Sequence, residues 1–189
     1  MPNESEISTL DTALLAHVNV ARVMQRLDEL AQVGRHAHGV TRLAFSDEDR
    51  LARAKVVAWM REAGLACRVD PVGNLIGRSP SHSPHSPAVM IGSHIDTVVN
   101  AGNFDGILGV VASIEVAHAV AASGWDFEHP LEVVCFVMEE SSRFGVGYGF
   151  GSNVMTGQVA GQEMLLARDQ GGKLLADALY EMRTAEDPS

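Results

Sequence analysis

The sequence predicts an α/β chain from three observations: short runs of Val, Ile and Leu bounded by Gly, Pro or Asn, stretches of helical apolar spacing between them, and one long segment apolar around most of its circumference. From Asn19 onward, Val20, Val23, Leu27 and Leu30 recur at helical spacing, with Asn19 placed to cap the start and Gly34 just past the end. Ser46 followed by Asp49 resembles a capping box, and no Gly or Pro interrupts the chain from Asp47 to Ala63 until Gly64 stops the helix. Strand candidates are Leu65 to Val69, Asn74 to Gly77, Ala88 to Gly92 and Leu131 to Met138. The segment Ser79 to Pro87 alternates Ser, Pro and His, so it reads as a loop whose His82 and His85 sit at an exposed tip. Gly106 to Gly124 suits a helix pressed between a sheet and another layer. After Met155 the pattern weakens to two short helices, Glu163 to Arg168 and Leu174 to Met182. The expected organisation is an N-terminal tail over 1–18, one folded unit over 19–183 and a polar tail over 184–189.

At 189 residues and 20.2 kDa, with 46% apolar and 20% charged residues, the chain has enough apolar surface for one core and is not a disordered sequence. Lys and Arg total 14 against 24 Asp and Glu, which leaves a formal charge of −10. That balance disfavours nucleic acid and anionic membrane surfaces, both of which select a basic face. Gly106 to Gly124 carries Glu115 and His118, which makes it a poor bilayer span. Cys67 and Cys135 lie in apolar stretches without CxxC spacing and read as reduced core residues. The polar, acidic start Met1 to Glu6 lacks the features of a secretory signal, so a cytoplasmic location is expected.

Three clusters fall where strands are expected to end, the place where open α/β sheets bind ligands. In Gly92-Ser93-His94-Ile95-Asp96-Thr97, an extended backbone puts His94 and Asp96 on one side, where Asp96 can accept the N–H of an imidazole whose other nitrogen binds a metal. Asp105, in a turn-rich loop before Gly106, is either a helix cap or a carboxylate able to bridge two cations. Glu139 and Glu140 follow a buried run, where adjacent like charges raise one another's pKa and favour a cation or a proton. Jointly these residues describe a nitrogen-and-oxygen site for up to two divalent metals, Zn, Mn, Co or Ni.

The ordered series Gly39 to Ser46, Val72 to Gly77, Gly92 to Thr97, Phe104 to Val110 and Glu139 to Phe144 resembles the M20-type metal-dependent amidohydrolases. The resemblance is to the branch of N-carbamoyl-L-amino-acid hydrolases, allantoate amidohydrolases and β-ureidopropionases. It implies that His94 is a terminal ligand of one metal, Asp105 the bridging ligand and Glu140 a ligand of the other. It further implies that Glu139 is the catalytic base and Asp96 the acid that orients the ligand His. The implied reaction is hydrolysis of a ureido C–N bond in a small ureido acid, with allantoate or β-ureido acids as alternative substrates. Ser141 departs from the family pattern, which has Gly after the acid pair. Family members are longer, with a further His for each metal beyond the last residue here and an inserted dimerisation domain. The resemblance therefore implies an N-terminal part of a zinc-peptidase-like mixed sheet flanked by helices, lacking the dimerisation domain. Either the remainder of such a part exists elsewhere, in a complementing chain, or it is an inactive remnant or non-catalytic partner. A sheet missing its remaining strands exposes an apolar edge, which predicts self-association or instability.

Overall fold

The computed structural model describes residues 12, 14–80, 83, 85–124, 127–158 and 162–186. Helix α1 spans Val20–Gln32, and the Asn19 side chain accepts the Arg22 N–H at its start. A hairpin of two short strands follows, β1 (Arg35–His36) and β2 (Gly39–Val40), then helix α2 (Asp47–Glu62). The Ser46 hydroxyl accepts the Asp49 N–H, and the Asp49 carboxylate accepts the N–H of Phe45, so the first turn is capped from both directions.

Strands β3 (Ala66–Val69), β4 (Leu75–Arg78), β5 (Val89–His94) and β6 (Leu131–Phe136) form one mixed sheet in the order β3-β4-β6-β5. β4 is antiparallel to β3 and to β6, whereas β5 and β6 are parallel. The crossover that parallel neighbours require is supplied by helix α3 (Ile107–Ser123), which packs on β5 and β6. Being central, β6 is nearly all apolar, and its one acid, Glu132, is held 3.0 Å from Arg78 and 3.5 Å from Arg68. The main core lies between the helices and one face of this sheet and includes Leu30, Val56, Met60, Leu75, Val110, Ile114, Val133 and Cys135. A second apolar cluster, with Val137, Met138, Phe144, Phe150 and Leu175, packs beyond the end of β6 against helices α4 (Phe150–Met155) and α5 (Leu175–Glu186).

Helix α3 is apolar on most sides because most sides are covered, and its one buried acid explains why α1 docks where it does. Glu115 is 3% exposed and accepts two hydrogen bonds from the Arg22 guanidinium at 2.8 Å and one from the Asn19 N–H at 2.6 Å. A residue that in the sequence merely argues against a membrane span thus clamps two helices. No helix among the described residues is long and apolar enough to cross a membrane.

The structure departs from the sequence reading at the ends. The final helix continues through Glu186, so residues 184–186 are helical rather than part of a polar tail; 187–189 lie outside the described residues. At the other end, backbone bonds from His17 to Leu14 and from Val18 to Leu15 form turns within the segment read as a tail, of which 1–11 and 13 lie outside the description. The stretch read as a helix over Glu163 to Arg168 is a 3-10 turn, Gln162–Leu166. The β1–β2 hairpin and α4 escape a reading by periodicity because each is too short for a pattern to repeat. His85 is exposed, as its Ser-Pro-His loop predicts; His82 lies outside the described residues.

Two outcomes follow from the α1–α3 contact. Arg22→Met should cost about 3 kcal/mol in urea unfolding, because it leaves the Glu115 carboxylate buried without its partner. His118 faces Arg22 and Arg26 of α1, Glu62 of α2 and Glu115 of its own helix; burial, then the two arginines, hold its imidazole below the ordinary value. A depressed folded pKa stabilises above the unfolded value of about 6.5 and is lost as pH falls through the folded value. The thermal midpoint should therefore drop between about pH 7 and pH 5, and His118→Gln should flatten that drop.

Candidate metal centre

β5 and β6 pair in parallel up to His94 and Phe136, so the segments leaving them begin side by side. Gly92 permits this approach: a Cβ there would lie 1.9 Å from the Val134 carbonyl oxygen. Beyond the strands, the 3%-exposed Asp96 turns its carboxylate across the gap. Oδ1 accepts the Glu139 N–H at 3.1 Å and Oδ2 accepts the Glu140 N–H at 3.0 Å. The acid pair is thus fixed through its backbone, between Met138 and Ser141, both left-handed at φ 52° and 53°.

His94 is half-buried beside Asp96. Its Nδ1 lies 3.0 Å from the Asp96 carbonyl oxygen and 3.6 Å from the carboxylate, so both the backbone and the side chain of Asp96 hold the ring. The strand ends at His94, and the two side chains lie together just beyond it, as the spacing predicts. A carbonyl only accepts, which places the hydrogen of the neutral ring on Nδ1 and the lone pair on Nε2, 3.7 Å from the Glu140 carboxylate. Burial alone would lower the His94 pKa, but the bonds and charge of Asp96, with Glu140, outweigh it and hold the imidazole above its ordinary value. Burial pushes the Glu140 carboxyl up; His94 opposes this, while Asp105, Asp96 and Glu139 add repulsion.

Asp105 precedes α3, whose N-terminus is capped by no side chain: the Asp105 backbone carbonyl, not its carboxylate, accepts the Ile107 N–H at 2.7 Å. Its exposed carboxylate is therefore not engaged in capping, the alternative that the sequence left open. Gly106, at φ 69°, lies against the His94 ring; a Cβ would stand 2.4 Å from Cε1 and 2.6 Å from each ring nitrogen. His94, Asp105 and Glu140 each bring one donor atom into a group whose members are all within 4.8 Å of one another. One imidazole nitrogen and two carboxylate oxygens, with surplus negative charge around them, suit a borderline divalent cation with a coordination position left open.

Glu139 lies next in sequence but points elsewhere. Its Oε1 accepts the Ser152 N–H at 2.9 Å and its Oε2 the Ser152 hydroxyl at 2.8 Å, in the first turn of α4. α4 is itself held by Asn74, which is fully buried: its Nδ2 donates to the Gly151 carbonyl and its Oδ1 accepts the Val137 N–H. Of the five residues singled out from sequence, three converge as donors, Asp96 holds His94 and the amides of the acid pair, and Glu139 is directed to Ser152. Ser152, Asn74 and Gly106 were not assigned any such part. An Asn-Leu-Ile-Gly strand start is visible in the sequence, but a serine in a glycine-rich stretch carries no signal of its own.

An apolar cavity of about 700 Å³ lies between α3, the starts of β5 and β6 and the end of α2, lined by Leu65, Val89, Ile91, Val120, Phe127 and Leu131 among others. None of the donor residues lines it.

The Peptidase family M28 model matches residues 74–163, a span containing His94, Asp96, Asp105, Glu139 and Glu140. An N-carbamoyl-L-amino-acid amidohydrolase of Pseudomonas sp. (strain NS671) is 47% identical over 78% of the chain, and the match spans 36% of that protein. An allantoate amidohydrolase of Bacillus subtilis (strain 168) is 37% identical over 82% of the chain and 38% of its own length. Among solved structures, a hydantoinase/carbamoylase family amidase from Burkholderia ambifaria superposes with a TM-score of 0.82 at 36% identity, covering 88% of this chain and 41% of that one. The chain thus spans well under half the length of the relatives it matches.

Two substitutions probe this geometry without removing a donor. Gly106→Ala should weaken Co²⁺ binding about tenfold or more in a calorimetric titration, because the new methyl displaces the His94 ring. Ser141→Gly should raise stability by about 1 kcal/mol, since glycine adopts the left-handed conformation without steric cost.

Proposed function

We propose that this chain, which belongs to the family of N-carbamoyl-L-amino-acid amidohydrolases and allantoate amidohydrolases, carries the metal-binding and base residues of a hydrolase of linear ureido C–N bonds. N-carbamoyl-L-amino acids are the favoured substrates, with allantoate or β-ureido acids as alternatives. The observation that carries the reading is the convergence of His94, Asp105 and Glu140 donors beside an anchored acid pair. His94, Asp105 and Glu140 are assigned as ligands of a divalent cation; where two are held, His94 serves one, Glu140 the other, and Asp105 is shared between them. Zn, Mn, Co and Ni all suit such donors. The M20 grouping belongs to this reading, as does a cytoplasmic location.

A bound divalent cation supplies Lewis acidity, polarising a carbonyl and making water more acidic. The chain's own residues then have separate tasks. Glu139 is the base: Ser152 occupies one lone pair on each of its oxygens and fixes the carboxylate, leaving the remaining lone pairs to take a proton from the attacking water. Asp96 holds His94 in the tautomer that offers Nε2 and holds the backbone of Glu139 and Glu140 at the same time. Water adds to the carbamoyl carbon, the C–N bond to the amino acid breaks, and the proton on Glu139 passes to the departing nitrogen. The carbamate that remains gives CO₂ and ammonia.

The outer edge of β5 has no strand partner among the described residues, and a complementing chain or a second copy is assigned to it. A non-catalytic partner is the second reading, favoured by the small number of donors that converge.

The deciding experiment is release of ammonia and amino acid from an N-carbamoyl-L-amino acid after stripping the protein and reloading it with Mn²⁺, Co²⁺ or Zn²⁺. Glu139→Gln should retain the cation and lose at least about a hundredfold in rate, the scale of general-base catalysis. A folded, metal-loaded protein without turnover would favour the non-catalytic reading.

A further inference from the structure

We propose that Arg42 is the positioning residue of the metal centre, a buried clamp through which the end of α1 fixes the His94 to Thr97 segment and, by way of Asp96, the acid pair. Arg42 is fully buried and is not itself a member of the donor group. Its Nε donates to the Ile95 carbonyl at 2.7 Å, while Nη1 donates to the carbonyls of Leu30 at 3.0 Å and Val33 at 2.9 Å, in the last turn of α1 and just past it. Its backbone completes the grip. The Arg42 N–H donates to the Thr97 hydroxyl at 2.8 Å, and the Thr97 N–H donates to the Arg42 carbonyl at 2.9 Å.

Arg42 therefore binds Ile95 and Thr97, the two residues that bracket Asp96, and Ile95 adjoins His94. Asp96 carries the constraint onward, because its two oxygens hold the amides of Glu139 and Glu140. A continuous chain of bonds runs from the Leu30 and Val33 carbonyls through the guanidinium to both halves of the donor group.

The chemistry of the group matters. Three carbonyls approach from two elements, and a rigid planar fork meets all three in one geometry, which a flexible ammonium does not reproduce. A guanidinium also remains charged where burial would neutralise a lysine. Its hydrogen bonds go to carbonyl oxygens, and Nη2 is buried without a partner. Keeping a cation so buried is costly for mere packing. Asp49 and Asp96 are the nearby carboxylates whose charge favours it, so the fixed cation also lies under the acidic centre.

The effect on cation affinity rests on the reading of His94, Asp105 and Glu140 as ligands; the effect on backbone order does not. The test is hydrogen exchange of the 189-residue protein, followed by mass spectrometry, combined with Co²⁺ titration. Arg42→Lys should speed exchange about tenfold or more in residues 94–97 and 139–140 while leaving the middle of α2 unchanged. It should weaken Co²⁺ binding about 10- to 100-fold, the range for residues that orient ligands. Thr97→Val, which removes only the hydroxyl that accepts the Arg42 backbone N–H, should change both in the same direction, and Arg42→Met, which keeps the stem and loses the guanidinium, decides the matter if Arg42→Lys does not fold. Val56→Ala, a core truncation in α2, should lower stability and leave Co²⁺ affinity as it was. Unchanged exchange at 94–97 and 139–140 in the folded variants overturns the proposal. If wild type holds no Co²⁺ while the exchange effect is present, the clamp stands and the ligand reading fails.

Discussion

Two parallel strands can place chemistry at their common end only if something holds their exits together, and here that constraint falls on the carboxylate of Asp96. Backbone amides leaving a strand have lost their ladder partners and need others when water is excluded. Asp96 supplies both oxygens to two such amides, so the acid pair and the histidine loop become one rigid body. Everything near the centre is arranged with respect to that bond pair. The buried arginine grips the loop on either side of Asp96, the glycine before α3 lets Asp105 approach the His94 ring, and Asn74 with α4 supports Glu139 from the far side.

This arrangement gives adjacent acids different surroundings without any difference in their chemistry. Glu139 and Glu140 share a backbone anchor but face opposite ways, one toward a serine that donates twice, the other toward an imidazole and a second carboxylate. Successive side chains leaving an extended segment diverge, and the left-handed residues on either side stop the pair from relaxing into a longer strand or a helix. Burial and repulsion raise Glu140, and a divalent cation relieves both.

Much of this was legible in the sequence. The caps at Asn19 and Ser46, the four sheet strands and the apolar helix before Gly124 are local signals, and the structure places them within a few residues of the expected bounds. His94, Asp105 and Glu140 were visible as chemical types at strand and helix ends. What the sequence did not disclose are the groups that act across long separations. Arg42 falls within the Gly39 to Ser46 series without any part assigned to it, and only the fold shows it enclosed by carbonyls from two elements. Ser152 lies thirteen residues from Glu139 in a glycine-rich stretch with no period. The last helix runs on through Glu186 because no Gly or Pro stops it there, whereas the polar composition from Thr184 onward reads as a tail.

The central claim is that one imidazole and carboxylate oxygens from His94, Asp105 and Glu140 hold a divalent cation at the joined strand ends. X-ray absorption spectroscopy of the zinc-loaded protein tests it most directly. The account predicts an inner shell of nitrogen and oxygen only, with the outer-shell scattering of no more than one histidine per zinc, lost when His94 is replaced by Ala. A shell containing sulfur, or histidine scattering that survives His94→Ala, would contradict it.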